Sequence, residues 1–336
     1  MDFSYIGDIS SIYGVRKYSL LEGKAKGMEF FHVKNGLGLE MDISLDRNAD
    51  ISSLSYKGVN LSFSSCCGNV SPFYFNKNKD EFLKSFNAGF LTTCGLTYFG
   101  SPCIDNNEEL GLHGTIGNTP VSSSSYEYND KGILVKTITR DENIFSHKLV
   151  LNRSISISNS DNVFYLNDLV SNNGDQITPL MVLYHMNIGY PLLDENALLY
   201  INYESIKPRN EHSKLSISSF DKMSKPMKNF QEMCYYFLMK DNPFALVFNP
   251  KLNIGLLISY DKKNLDSFVE WKMMGYRDYV LGLEPGNAYP DGRSEARKNK
   301  SLKFIKPNET KSFSLKVRIF QGHEEFLKIK EGELGF

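Results

Sequence analysis

Two histidines and one glutamate lie in segments whose composition suits a binding pocket. His113 stands between glycines in GLHGTIGN (111–118), and glycine allows a ligand or a second backbone to approach closely. His185 follows an apolar stretch and precedes a Gly-Tyr-Pro loop, while Glu284 ends another apolar stretch immediately before Pro285. Imidazole and carboxylate groups are common proton donors and acceptors in catalysis. The combination could perform general acid–base chemistry. A hydrogen-bonded core histidine or a solvated carboxylate would give the same sequence pattern.

Two further polar segments are candidates for the same pocket. DRNAD (46–50) follows an alternating stretch at 37–45 and is equally typical of a charged hairpin turn. Glu270-Trp271-Lys272 contains the only tryptophan of the chain. Since side chains alternate along a strand, only one of Trp271 and Lys272 is expected to face a pocket. Glu284 is expected at the rim of a strand, because Pro285 and a glycine follow it.

Together these segments resemble the aldose 1-epimerases of the galactose mutarotase-like superfamily. The resemblance rests on His113 in Leu-His-Gly, His185 before Met-Asn-Ile-Gly-Tyr, and Glu284 in LEPGNAYPD (283–291), followed by a Pro-Asn-Glu turn at 307–309. It is closer still to a branch known only as a domain of unknown function, through the segments DRNADI (46–51), LTTCGL (91–96), IGNTP (116–120) and WKMMG (271–275). The similarity covers about residues 30–320.

This resemblance implies an all-β fold, a large antiparallel β-sandwich with an open cleft across one sheet. Glu284 would be the general base, His185 the general acid, and His113 a second donor to the sugar. The family's aspartate that holds ring hydroxyls has no plain match, and Glu232 is nearest by order along the chain. The other implied sugar-binding residues are Arg47, Asn187, Trp271, Lys272, Asn287 and Arg293.

The chemistry of anomer exchange agrees with these roles. A base removes the proton of the C1 hydroxyl, an acid protonates the ring oxygen, and the open chain rotates and closes on its other face. A carboxylate is ionised at pH 7, and a histidine becomes a competent acid if nearby negative charge raises its pKa. The partner is then a small-molecule carbohydrate, and no metal, nucleotide or redox cofactor is required.

The elements that must position these groups are predicted to be strands. Aromatic residues make up 13% of the chain, and period-two alternation recurs from end to end. It is clearest at 313–319 and recurs at 133–140, 147–157, 163–170, 198–205 and 254–260. Helical periodicity is confined to 79–86 and 324–330. Without a linker, a repeat or a βαβ pattern, the sequence predicts a single domain over residues 1–336.

Charge and cysteine content exclude several other classes of protein. The chain has 38 basic and 39 acidic residues without a long run of one sign, so a nucleic acid partner is not expected. The acidic amino terminus, MDFSYIGDIS, and the lack of a long apolar run predict a cytoplasmic protein without a membrane partner. Five cysteines, an odd number without ligand spacing, predict free and largely buried thiols rather than disulfides or a metal site.

Two other functions remain open at this point. Glycoside hydrolysis or elimination (a hydrolase or lyase) would pair Glu284 with a second carboxylate, for which Asp291 and Glu232 are candidates. A non-catalytic sugar-binding module would use the same cleft and Trp271 without proton transfer. A phosphate or sulfonate on the sugar could be received by Arg293, Arg297 or Lys272, with solvated surface side chains as the equal alternative. The sequence leaves the sugar and the oligomeric state open.

Overall fold

The alternating segments form strands of two large antiparallel sheets and one smaller one. A computed structural model describes residues 3–332. The first two residues of the acidic amino terminus and the last four of the predicted domain lie outside this range. Within it the strands are β1 (Tyr13–Ser19), β2 (Glu29–Asn35), β3 (Leu39–Ser44), β4 (Asp50–Tyr56), β5 (Val59–Asn60), β6 (Phe63–Ser64), β7 (Ala88–Gly89), β8 (Leu91–Cys94), β9 (Cys103–Asp105), β10 (Glu108–Leu110), β11 (Ser123–Asn129), β12 (Gly132–Glu142), β13 (Lys148–Ile157), β14 (Val163–Asn172), β15 (Thr178–Pro179), β16 (Leu183–Ile188), β17 (Leu198–Ile201), β18 (Tyr203–Pro208), β19 (Met233–Met239), β20 (Phe244–Asn249), β21 (Ile254–Tyr260), β22 (Ser267–Met274), β23 (Tyr279–Gly286), β24 (Phe304–Ile305) and β25 (Thr310–Gln321).

Helices are short and lie at the periphery of the sheets. They are α1 (Glu211–Leu215), α2 (Arg293–Lys298) and α3 (His323–Lys330), with 3₁₀ turns at Phe3–Tyr5, Ile9–Ser11, Gly23–Ala25, Pro72–Tyr74, Glu81–Lys84, Ile116–Asn118 and Ile217–Ser219. No helix within residues 3–332 is both long and apolar enough to cross a bilayer.

The strands pair in a fixed order within each sheet, and the sheets together form a β-sandwich. One large sheet runs β11-β12-β13-β14-β25-β21-β20-β17, and the other runs β18-β19-β22-β23-β16-β8. A five-stranded sheet, β1 to β5 in sequence order, continues the layer structure at the amino-terminal side. The predicted fold class, a large antiparallel β-sandwich, is confirmed.

In the eight-stranded sheet, the alternation of apolar and polar residues explains which face of each strand is buried. In β25, Phe313, Leu315, Val317 and Ile319 are buried, while the residues between them are partly exposed. The strands β16 and β23 behave differently, because all their residues are buried. One face of these two strands contacts the core between the sheets, and the other carries the candidate site. Continuous burial is expected where both faces of a sheet are covered.

A buried ionic cluster ties the sheets together beneath that site. The guanidinium of Arg153 donates two hydrogen bonds to the carboxylate of Asp168, at 2.9 and 2.8 Å, and one to Asp50 at 2.7 Å. Tyr184 also donates to Asp168 at 2.8 Å, and the backbone N–H of Thr93 donates to Asp50 at 2.7 Å. Because Asp50 serves this cluster, the DRNAD segment is a buried structural turn rather than an exposed charged hairpin.

Three details differ from the sequence-based expectations. The predicted strand at 198–205 divides at Asn202, because β17 joins the eight-stranded sheet while β18 joins the six-stranded one. The predicted helix at 79–86 is reduced to the 3₁₀ turn Glu81–Lys84, and α1 and α2 were not anticipated. All five cysteines are free, but only Cys94 and Cys234 are buried.

Candidate active site

The candidate site lies on the outer face of the six-stranded sheet, where register aligns its side chains. Leu183 pairs with Gly286 and Met186 with Leu283, which places His185 of β16 opposite Glu284 of β23. On its other side Glu284 pairs with Val269 of β22. The two polar groups singled out in the sequence, 99 residues apart, are therefore neighbours across one strand pair.

His185 and Glu284 form a close, buried pair. Nε2 of His185 lies 3.1 Å from Oε1 of Glu284, and only 4% and 2% of the two residues are exposed. Gly282 precedes Glu284 on the same strand face, and a Cβ at this position would lie 2.5 Å from Oε1. The absence of a side chain at Gly282 therefore leaves the space that the carboxyl group occupies. Glu284 lies in the floor of a cavity and not at the rim expected from the sequence.

Burial favours the uncharged forms of both groups. It raises the pKa of Glu284 well above its ordinary value, with a further contribution from the charge of Glu232. Burial also lowers the pKa of His185 to about 4. This differs from the expected ionised Glu284 beside a protonated His185, because burial among protein atoms penalises either charge. The pair nevertheless carries one titratable proton in either state, on Glu284 when both groups are neutral and on His185 when both are charged.

The pair opens into a cavity of about 300 Å³. We call it the catalytic cavity because it contains the candidate acid–base pair. It is lined by Asp80, Phe82, Leu83, Phe86, Ser101, Pro102, Leu112, His113, His185, Arg209, Glu232, Cys234, Val269, Trp271, Glu284 and Pro290. Of the eight residues predicted to bind the sugar besides the pair, three, His113, Glu232 and Trp271, line this cavity.

His113 contacts His185 edge to face, with ring centroids 5.8 Å apart. Its φ of 61° lies in the left-handed region, and its backbone N–H donates to the carbonyl of Gly100 at 3.0 Å. Burial lowers the pKa of His113 to about 3, so the ring is neutral. Its Nδ1 is buried and lacks a hydrogen-bond partner within the described residues. Because the neutral imidazole lines the cavity, it can bind a sugar hydroxyl.

Trp271, Glu232 and Arg209 form the polar side of the catalytic cavity. The indole Nε1 of Trp271 donates to Oε2 of Glu232 at 2.7 Å, and the indole ring lies 5.3 Å from that of His185. Arg209 was not predicted; its Nη2 donates to Ser101 at 2.7 Å, and its Nε lies 3.5 Å from Asp291. These groups can hold hydroxyls around a ring that rests against the indole.

Arg47 does not line the catalytic cavity, which corrects its predicted role. Only 2% of it is exposed, and its Nη1 donates to the carbonyls of Ser85 at 2.7 Å and Val70 at 3.3 Å. Ser85 directly precedes Phe86, so Arg47 supports a wall of the cavity from behind. A buried guanidinium must find acceptors, and backbone carbonyls supply them here.

Asn187 and Asn287 also support the site without lining it. Asn187 donates through Nδ2 to the carbonyl of His185 at 2.9 Å and to that of Ala88 at 3.3 Å. Asn287 accepts from the N–H of Val182 at 2.7 Å, in the segment leading into β16. Both amides hold the backbone around the acid–base pair, so their predicted sugar contacts are replaced by structural ones.

Lys272 and Arg293 are likewise engaged elsewhere. Nζ of Lys272 points to the opposite face of the sheet from Trp271, where it donates to the carbonyls of Phe220 at 2.9 Å and Ser219 at 3.0 Å. The alternation argument for Trp271 and Lys272 is thus confirmed. Arg293 forms an ion pair with Asp105 at 2.6 Å, an acceptor it shares with Arg297. The three cations considered for a phosphate or sulfonate are consequently turned away from the catalytic cavity.

Sequence reasoning missed Arg209, Gly282 and Phe86. A glycine inside an apolar strand, as in Leu-Gly-Leu at 281–283, is a recognisable sign of close approach. Arg209 follows the end of β18 and gave no comparable signal, since only the folding of that strand against β19 brings it to the cavity. Within residues 3–332, no group of three or more His, Cys, Asp or Glu side chains is arranged to hold a metal ion.

Residues 25–319 match the family described as a domain of unknown function, DUF4432. The chain belongs to this family. No curated protein shows significant similarity to this DUF4432 chain.

Solved structures place this DUF4432 chain among mutarotase-like folds. A candidate aldose 1-epimerase from Klebsiella pneumoniae superimposes with a TM-score of 0.89 at 25% identity, over 95% of this chain and 86% of that one. A galactose mutarotase-like protein from Clostridium acetobutylicum gives 0.67 at 16% identity, covering 93% and 100%. Galactose 1-epimerase from Lactobacillus acidophilus gives 0.59 at 14% identity, also covering 93% and 100%. The last two similarities show the fold alone.

Proposed function

We propose that this protein interconverts the α and β anomers of a free or modified aldose by general acid–base ring opening. The observation that carries the proposal is the buried His185–Glu284 pair, 3.1 Å apart in the floor of the catalytic cavity. The similarity to a candidate aldose 1-epimerase over most of both chains supports the same reaction class.

The spacing of the pair suits this reaction. In a pyranose, the C1 hydroxyl oxygen and the ring oxygen are bonded to the same carbon, so the groups that exchange protons with them must lie side by side. Glycoside hydrolysis instead uses two carboxyl groups about 5 to 9.5 Å apart. The closest ionisable partner of Glu284 is an imidazole, and Glu232 is already hydrogen-bonded to Trp271.

The protonation state of the pair also suits it. Burial favours a neutral Glu284 and a neutral His185, which together hold one titratable proton. Transfer of that proton across 3.1 Å gives carboxylate and imidazolium, the forms in which Glu284 removes the C1 proton and His185 protonates the ring oxygen. The two arrangements differ only in where the proton lies, so neither requires exchange with solvent.

The remaining groups of the catalytic cavity would position the sugar. The indole of Trp271 offers an apolar surface to the ring face, while Glu232 and Arg209 accept from and donate to hydroxyls. Neutral His113 lines the cavity and binds a further hydroxyl through its ring. We place this reaction in one domain spanning residues 1–336 and in the cytoplasm, where five free cysteines stay reduced.

The test is a screen of anomer exchange by NMR saturation transfer over glucose, galactose, mannose, xylose and the 6-phosphates of the three hexoses. The proposal predicts exchange above the buffer rate for at least one sugar, and its loss in Glu284→Gln. If a sugar binds, as seen by ligand-observed NMR, while every exchange rate equals that of buffer, the protein is a binding module. Release of alcohol from aryl glycosides would indicate hydrolysis instead.

A further inference from the structure

A second cavity of about 420 Å³ adjoins the catalytic cavity. We call it the side pocket. The two share Leu83, Phe86, Glu232 and Trp271, so only side chains that border both cavities lie where they meet. The apolar side chains around the side pocket are Phe63, Leu83, Phe86, Trp271, Met273 and Val280.

The polar groups of the side pocket are largely engaged or lie at its edge. Oγ of Ser65 donates to the carbonyl of Phe86 at 2.5 Å, and Sγ of Cys67 donates to the carbonyl of Leu83 at 3.3 Å. Glu232 accepts from Trp271, and Asp278 is exposed at the rim. A hydroxyl-rich group would lose water here and gain few hydrogen bonds, whereas an apolar group loses nothing by leaving water.

The charges of the catalytic cavity argue against an anionic substituent. Its lining contains the acidic side chains of Asp80 and Glu232 against the single guanidinium of Arg209, while the raised pKa of Glu284 favours its uncharged form. That guanidinium already lies 3.5 Å from Asp291. The two histidines are uncharged because burial lowers the pKa of each. A phosphate or sulfonate would therefore meet more negative than positive charge.

We propose that the substrate is an uncharged aldose that carries an apolar substituent on a carbon remote from C1, and that this substituent fills the side pocket. The inference rests on the proposed anomer exchange in the adjoining cavity. With C1 held at His185 and Glu284, the far side of the sugar ring faces Trp271, and the substituent continues past the indole to Met273 and Val280.

The experiment compares 4-O-benzyl- and 6-O-benzyl-D-glucose with lactose and melibiose, which carry a hydroxyl-rich ring at the same two positions of glucose. The proposal predicts that kcat/KM for anomer exchange of one benzyl ether exceeds that of glucose and of the matched disaccharide by at least tenfold. Met273→Gln should reduce the ratio of benzyl ether to glucose about fivefold. Met227→Gln, at an exposed methionine outside both cavities, should leave it unchanged.

Affinities measured by ligand-observed NMR separate the two proposals. If glucose is exchanged but the benzyl ethers are no better than the disaccharides in rate or affinity, the side pocket is not a subsite, and anomer exchange stands. If no sugar is exchanged but a benzyl ether binds at least tenfold more tightly than its disaccharide, the side pocket is supported and anomer exchange fails. Equal ratios in Met273→Gln and the unsubstituted protein would also overturn the assignment.

Discussion

Gly282→Ala should inactivate the protein with little loss of fold, because the added methyl group meets the carboxyl group of Glu284. The new Cβ would lie 2.5 Å from Oε1, where ordinary contacts begin at 3.4 Å. The carboxyl group must therefore move by about 1 Å, and a displacement of that size at a reacting group can cost about 10²-fold in rate. This corresponds to about 2.7 kcal/mol of transition-state stabilisation.

The fold should tolerate this change. Gly282 lies in a regular strand without a positive φ, and the other close atoms are Cβ of Trp271 at 3.1 Å and its Cε3 at 3.3 Å. Overpacking of this kind costs about 1–3 kcal/mol in unfolding free energy. Anomer exchange rates and urea midpoints should be measured together, with Gly7→Ala as the control, since a Cβ there meets no heavy atom within 4 Å. A Gly282→Ala protein with a normal exchange rate would refute the placement of Glu284 as the reacting group.

Three further predictions concern protonation, binding and stability. Activity requires one titratable proton in the pair. The buffer-corrected rate should therefore decrease when the pH is lowered below the His185 pKa of about 4, because a second proton then binds. It should also decrease when the pH is raised above the raised pKa of Glu284, because the last proton then leaves. An alkaline limb at the ordinary pKa of a glutamate would contradict this. His113→Asn should raise KM and lower kcat, each by about tenfold, because asparagine tolerates the φ of 61° but lacks the imidazole; unchanged kinetics would exclude sugar contact. Arg153→Met should reduce unfolding free energy in urea by about 3–5 kcal/mol, since it leaves Asp168 buried without its cation; a loss below 1 kcal/mol would contradict that account.

The sequence predicted the fold class because alternation with period two is a local property of each strand. The assignment of strands to sheets is not local, and for this reason the division of residues 198–205 between β17 and β18 was missed. The pairing of His185 with Glu284 came from family resemblance, and the antiparallel register of β16 and β23 accounts for it physically.

The incorrect predictions of sugar-binding residues share one physical cause, which is that segments distant in sequence determine the surroundings of each side chain. Residue type reveals that Arg47, Asn287 and Arg293 must find polar partners, but the partners come from distant segments that only folding brings together. The desolvation of Glu284 could not be predicted from the sequence either. An isolated Glu284 is ionised at pH 7, and its burial in the cavity floor raises its pKa and shifts that preference towards the protonated form.

The most direct test of the central claim is the exchange rate of Glu284→Gln on the best sugar of the panel, with affinity measured on the same sample. Glutamine keeps the shape of the side chain but cannot take a proton. The account predicts a loss of at least 10²-fold in turnover, with affinity changed by no more than a small factor. Turnover within a small factor of that of the unsubstituted protein would show that Glu284 does not exchange a proton with the sugar.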